Sequence, residues 1–163
     1  MPPSKLAEQP LYDGTRYDVS DSLGYQLVSL VLQMRREVDA RMVEHSLTNA
    51  QWRPLWMIKS GRAKSVHELS CGLGTDAGAM TRMVDRLVSK GLVQRERSDT
   101  DRRVVHLVLT AAGEEAVAQV PSVLASVNND FLKGFTQAEW RQLRQWIARM
   151  AANGRALQSD GSV

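Results

Sequence analysis

Arginines are the residues of this chain most able to do chemistry. Arg82 and Arg86 are four apart inside a stretch with helical spacing, and Arg95, Arg97, Arg102 and Arg103 crowd a charged segment just beyond it. Between residues 53 and 103 there are eleven Lys/Arg against six Asp/Glu, a local charge of +5, whereas the remainder of the chain carries −2. A guanidinium presents five donors and a permanent charge, which suits it to phosphates and base edges. A basic middle between slightly acidic ends therefore points to a polyanion met by the middle alone. Other chemistries lack their residues. His45, His67 and His106 share no metal-ligand spacing with one another or with Cys71, so no metal site is expected. There is no nucleophile elbow, no glycine-rich phosphate loop and no cofactor fingerprint, so the sequence predicts neither catalysis nor a cofactor.

The elements that must carry these arginines can be read from periodicity. The 163 residues suit one compact domain with helical extensions, large enough to fold without a disulfide or metal. Residues 1–19 hold three of the five prolines and no helical period, and read as an extended arm. From Ser20, the residues Leu23, Leu27, Leu30, Val31, Met34, Val38 and Met42 form one apolar stripe on a helix of about 25 residues. Such a helix is longer than a small core needs, which points to packing against a second subunit. Three capping boxes, Thr48–Gln51, Ser65–Glu68 and Thr136–Glu139, mark helix starts. They predict a helix over 48–60, a short one over 65–71, and a last helix marked by Trp140, Leu143, Ile147 and Met150. Thr75 is read as the cap of a fourth helix ending at Lys90, and Thr110 as the start of another over 111–133. Leu92-Val93 and Val104–Leu109 are β-branched and apolar around a charged RERSDTDRR, which predicts a two-stranded ribbon with a basic tip.

Short helix, glycine-containing turn, second helix and basic ribbon make a winged helix-turn-helix. The expected fold class is mainly α with a small β-wing, flanked by long N- and C-terminal helices. The domain reading is an arm over 1–19, a dimerisation region over 20–46 and 111–158, a winged helix over 47–110 and a frayed tail over 159–163. The N-terminus lacks an apolar leader, no stretch approaches the length of a membrane span, and one cysteine forms no internal disulfide. These features predict a cytoplasmic protein with no membrane contact.

Three blocks in this order resemble the MarR family of dimeric bacterial transcription regulators: LTNAQWRPLWMI (47–58), SVHELSCGLGTDAGAMTRMVDRLVSKGLV (65–93) and RERSDTDRRVVHLVLTAAG (95–113). The last holds the family's Asp-x-Arg and its strand ending Leu-Thr, here Asp101, Arg103, Leu109 and Thr110. A second glycine in the turn before the fourth helix, Gly72 beside Gly74, departs from the pattern. The resemblance implies a homodimer bound to double-stranded DNA, with Asp76, Ala77, Gly78 and Ala79 on the major-groove floor. Arg82 would reach a base or phosphate, Arg86 a phosphate, and Arg103 the minor groove. Asp101 would clamp a neighbouring arginine to hold the wing in shape, with Arg95, Arg97 and Arg102 as supporting charge. A plain solvated helix face would explain the spacing of Arg82 and Arg86 but not the matching wing.

The family also binds small aromatic acids between its lobes, which nominates Tyr25, Ser29, His45, Arg53 and Trp56. An arginine three residues from a tryptophan suits a carboxylate on a ring, although each of these residues could equally be core or ion pair. Some relatives sense oxidants through a cysteine near the first helix. Cys71, beside Leu69 and Leu73, is expected instead to be a buried structural thiol. The expected activity is a ligand-released repressor; an oxidant response through Cys71 or a winged-helix protein-interaction module are the alternatives.

Overall fold

A computed structural model of the chain describes residues 10–97 and 105–160. The arm, with one 3-10 turn at Gly14–Arg16, leads into α1, Leu23–Glu44. The first amide groups of α1 are satisfied locally: Ser22 Oγ accepts from Tyr25 N (3.2 Å), and the Tyr12 hydroxyl from the arm accepts from Leu23 N (2.8 Å). The chain continues through α2 (Asn49–Lys59), α3 (Val66–Leu73), α4 (Ala77–Ser89), β1 (Val93–Arg97), β2 (Val105–Leu109), α5 (Ala111–Ala116), α6 (Val120–Phe131) and α7 (Gln137–Asp160). This is the mainly helical fold with a two-stranded wing that the sequence predicts.

The wing is antiparallel, registering Val93 with Leu109 and Arg97 with Val105. Leu107 N also donates to Lys64 O (2.8 Å), which ties the ribbon to the residue preceding α3. Alternation does the rest: Leu107 and Leu109 face inward and are buried beside Val93. They join Leu55, Leu69, Met80, Val84 and Leu87 in one core with Val38, Met42, Val123 and Val127. Each such large side chain contributes about 1.5–3 kcal/mol by leaving water. α6 lies along the C-terminal half of α1, where Arg41 bonds both Ser126 Oγ (2.7 Å) and Asp130 (2.6 Å).

Three details differ from the sequence expectation. The single helix expected over 111–133 is two, because Pro121 has no N–H to donate and its ring excludes the preceding turn; it sits instead in the first turn of α6, where neither matters. α3 extends to Leu73, with Gly74 as its left-handed C-cap (φ 61°). The extra glycine, Gly72, lies inside α3, where a Cβ would collide with the terminal methyl of Met57. At this position the Met57 side chain of α2 lies directly against the α3 backbone.

Candidate nucleic-acid interface

α4 is the helix that the core pushes outward. Met80, Val84 and Leu87 bury one face, so helical geometry leaves Gly78, Arg82 and Arg86 exposed on the other, while Asp76 and Ala77 are exposed at the N-terminal end of the helix. Asp76 rather than Thr75 caps it: Asp76 Oδ1 accepts from Ala79 N at 2.9 Å. A carboxylate is well placed there, since the first turn of a helix presents unpaired N–H groups and a partial positive charge. Ala79 is half-buried, at the edge of the exposed face rather than in the middle of it. A side chain at Gly78 would come within 3.2 Å of the Asp76 carboxylate and 3.6 Å of the Arg82 guanidinium, so Arg82 lies back over a deliberately bare first turn.

On the ribbon, Arg95 and Arg97 are exposed along β1. Arg95 Nη2 reaches back to Asp85 Oδ1 of α4 at 2.7 Å, an ion pair absent from the sequence expectation, which treated Arg95 only as supporting charge. Asp101, Arg102 and Arg103, the residues assigned to the wing tip, lie outside the described residues.

Two clefts meet at α2 and share Arg53 and Leu73. The larger, about 450 Å³, is lined by Trp52, Arg53, Trp56, Met57, Arg62, Gly72, Leu73 and Leu124. The other, about 340 Å³, lies between α2 and the start of α4, among Asn49, Arg53, Thr75, Ala79 and Met83. Arg53 borders both. Its guanidinium forms no hydrogen bond or ion pair among the described residues. Burial first, then the like charge of Arg35, holds it below the ordinary arginine range, against the opposing pull of Asp39. Asp39 is itself engaged by Trp52 Nε1 at 3.0 Å. Arg53 and Trp56 are thus brought together at one cavity. Tyr25, Ser29 and His45 are not: they lie along α1 and at its C-cap, and twenty helical residues separate the first from the last by about 30 Å. Arg62, Met57 and Leu124 complete the cavity. Leu124 arrives from α6, which no local pattern could show.

Cys71 corrects an expectation. It is exposed, with Sγ 3.7 Å from His67 Nε2 one turn earlier. Because α3 continues past it, the inward positions fall on Leu69 and Ser70 and the thiol turns to the outer face. Among the described residues no three His, Cys, Asp or Glu gather as metal ligands, and no helix is long and apolar enough to cross a membrane.

The MarR family model matches residues 47–105. The transcriptional regulator PA3341 is 31% identical, covering 83% of this chain and 99% of its own, with a TM-score of 0.74. This chain belongs to the MarR family. E. coli MarR in its reduced form is 29% identical over 79% of this chain and 96% of its own, with a TM-score of 0.67. A cysteine-to-serine mutant of E. coli MarR, solved in complex with operator DNA, is 28% identical over 82% and 99% of the two chains, with a TM-score of 0.68. The protein is a MarR-family transcription regulator, and the family match over 47–105 takes in α2, α3, α4 and β1.

Proposed function

We propose that this chain binds a pseudo-palindromic DNA duplex as a homodimer and represses transcription until a small aromatic carboxylate releases it. The observation that carries the reading is the exposed face of α4. Ala77 and Gly78 leave the backbone bare, Arg82 and Arg86 stand beside it with no carboxylate partner among the described residues, and Asp76 and Asp85 are already engaged, Asp76 by Ala79 N–H and Asp85 by Arg95. A helix presenting small residues and arginines fits a major groove, as a second copy would one helical turn away. Residues 47–110 would form the DNA-binding unit. Residues 20–46 and 111–158 would form the dimer, since the apolar faces of α1 and α7 are largely exposed in the single chain: Leu30 is 44%, Val31 51% and Trp146 51% accessible. Asp76 acts as cap while Ala77, Gly78 and Ala79 face the groove floor, Arg82 takes a base or phosphate, and Arg86 a phosphate. Arg103 enters the minor groove, with Asp101, Arg95, Arg97 and Arg102 shaping and charging the wing.

The carboxylate would pair with Arg53, whose partly desolvated guanidinium forms no ion pair among the described residues, while Trp56 covers the ring. Release then follows from differential affinity: a ligand wedged between α2, α3 and α6 favours a spacing of the two recognition helices that the operator does not.

The test is fluorescence anisotropy against a duplex from upstream of the chain's own gene, at two salt concentrations, with and without aromatic carboxylates. Tight, salt-sensitive binding that one acid releases supports the whole reading. Binding that no acid disturbs removes the ligand, and salt-insensitive failure to bind any duplex favours an interaction module. Arg103→Ala should weaken binding and relax preference for A·T-rich flanks, whose narrow minor groove attracts arginine. Unchanged preference in a random-duplex selection would remove that residue from the interface.

A second reading rests on the exposure of Cys71 beside His67. An accessible thiol can be oxidised where a buried one cannot. It expects peroxide to release wild-type protein from its duplex and to leave Cys71→Ser bound; equal release of both rejects it.

A further inference from the structure

Of the four arginines on α4 and β1, Arg82, Arg86, Arg95 and Arg97, only Arg95 has a carboxylate partner among the described residues. That partner, Asp85, stands on the third turn of α4 between Arg82 and Arg86, on the side of the helix that would approach phosphates. An acid is out of place there unless something holds it. The pair is also the one side-chain hydrogen bond or ion pair that joins α4 to the ribbon among the described residues. Both side chains are substantially exposed, 41% for Arg95 and 54% for Asp85, so the pair adds little to stability. Its placement is what calls for explanation.

We propose that Asp85 is a positioning residue. Through Arg95 it holds the wing at one offset from the recognition helix, and it withholds the Arg95 guanidinium from indiscriminate phosphate contact. A regulator must discriminate against a vast excess of non-specific duplex, and every free arginine raises affinity for all sequences alike. An acid on the interface that ties one arginine to the scaffold lowers that background and aligns the major-groove and minor-groove readers to a single groove spacing. The inference rests on the assignment of α4 and the wing as the DNA-reading elements.

The test uses the full chain, a duplex selected by the wild type from a random pool, and a scrambled version of that duplex, titrated between 50 and 200 mM salt. Six to ten phosphate contacts lose about three to five decades of affinity over that range, so one additional contact adds about threefold to the loss. Asp85→Ala should bind the scrambled duplex more tightly at 50 mM salt and lose about threefold more of its affinity per subunit by 200 mM, the salt slope being steeper by about one. The selected duplex should gain less, so the ratio of the two affinities falls. Asp85→Glu, which keeps the charge, should restore most of that ratio. Asp85→Ala combined with Arg95→Ala should return scrambled-duplex affinity and slope to wild type while the ratio stays low, the signature of coupled residues. Equal weakening on both duplexes, or no change in either, overturns the proposal. So does a changed base preference at one position, which would mean that Asp85 accepts directly from a cytosine amino group. A wild type that selects no duplex would instead overturn the DNA-binding reading on which the inference stands.

Discussion

In the winged-helix half, Leu55, Leu69, Val84 and Leu87 are fully buried, and the ribbon closes over them with Val93, Leu107 and Leu109. In α7, no residue whose burial is described is buried, and Trp146, Ile147 and Met150 are 51%, 50% and 37% accessible. The two regions are built from similar residues and similar caps; Ser65–Glu68 opens α3 as Thr136–Glu139 opens α7. They differ in what lies opposite. α3, α4 and the ribbon cover each other's apolar faces, whereas α7, 24 residues long, has no element of its own chain packed closely along it. A helix with an apolar face left in water lacks most of its stabilising term, because tertiary packing contributes more to helices than propensity does. The winged-helix core, shared with Val38 and Met42 of α1 and Val123 and Val127 of α6, is therefore closed within one chain, and the outer faces of α1 and α7 are covered only in the proposed dimer.

The sharpest way to break this contrast is to charge the α7 face. Trp146→Glu with Ile147→Glu should raise the dimer dissociation constant about a thousandfold, roughly 4 kcal/mol, since buried aromatic anchors dominate interfaces. Sedimentation equilibrium reads this directly, and an unchanged mass would show that the face is not the subunit contact. Next in size is Leu87→Ala in the self-contained half, expected to cost about 3 kcal/mol in denaturant unfolding whatever the protein concentration. A cost that vanished at high concentration would deny that this core is closed within one chain. Arg86→Ala should leave fold and mass alone and weaken binding to every duplex by about threefold, flattening the salt slope by about one. A change in preferred bases would move Arg86 from phosphate to base contact.

The smallest effect concerns the cap of α3. Glu68 accepts from Lys64 N (2.5 Å) and Ser65 N (3.1 Å), and the first of these bonds is the main reason its carboxyl sits below the ordinary glutamate range. A depressed native value means that the stabilisation is present at neutral pH and is lost as pH falls through the native value. Glu68→Gln should therefore flatten the acid limb of the stability curve below about pH 4, the usual range of a free glutamate. Identical acid limbs followed by circular dichroism would remove the cap's pH-dependent contribution.

Much of this was legible locally. Capping boxes announced α3 and α7 because the cap and its partner are three residues apart and need nothing else. The alternation that buries Leu107 and Leu109 is likewise a property of β2 alone. Proximity in sequence did less well where several local solutions competed. Thr75 and Asp76 both can cap, and the aspartate prevails because its carboxylate reaches Ala79 N. Ser46 ends α1 in the left-handed region (φ 59°) with no glycine to signal it, while Leu47 N closes back on Met42 O.

The sequence by itself determined the element order, the winged helix and its basic face, since these follow from periodicity, caps and charge within a few residues. Only the tertiary structure decided that Arg95 belongs to Asp85, that Arg53 and Trp56 share a cavity with Leu124 while Tyr25 and His45 do not, and that Cys71 faces water. Each of these depends on where a distant helix crosses, and crossing is fixed by the shape of packed side chains, which one-dimensional spacing does not record.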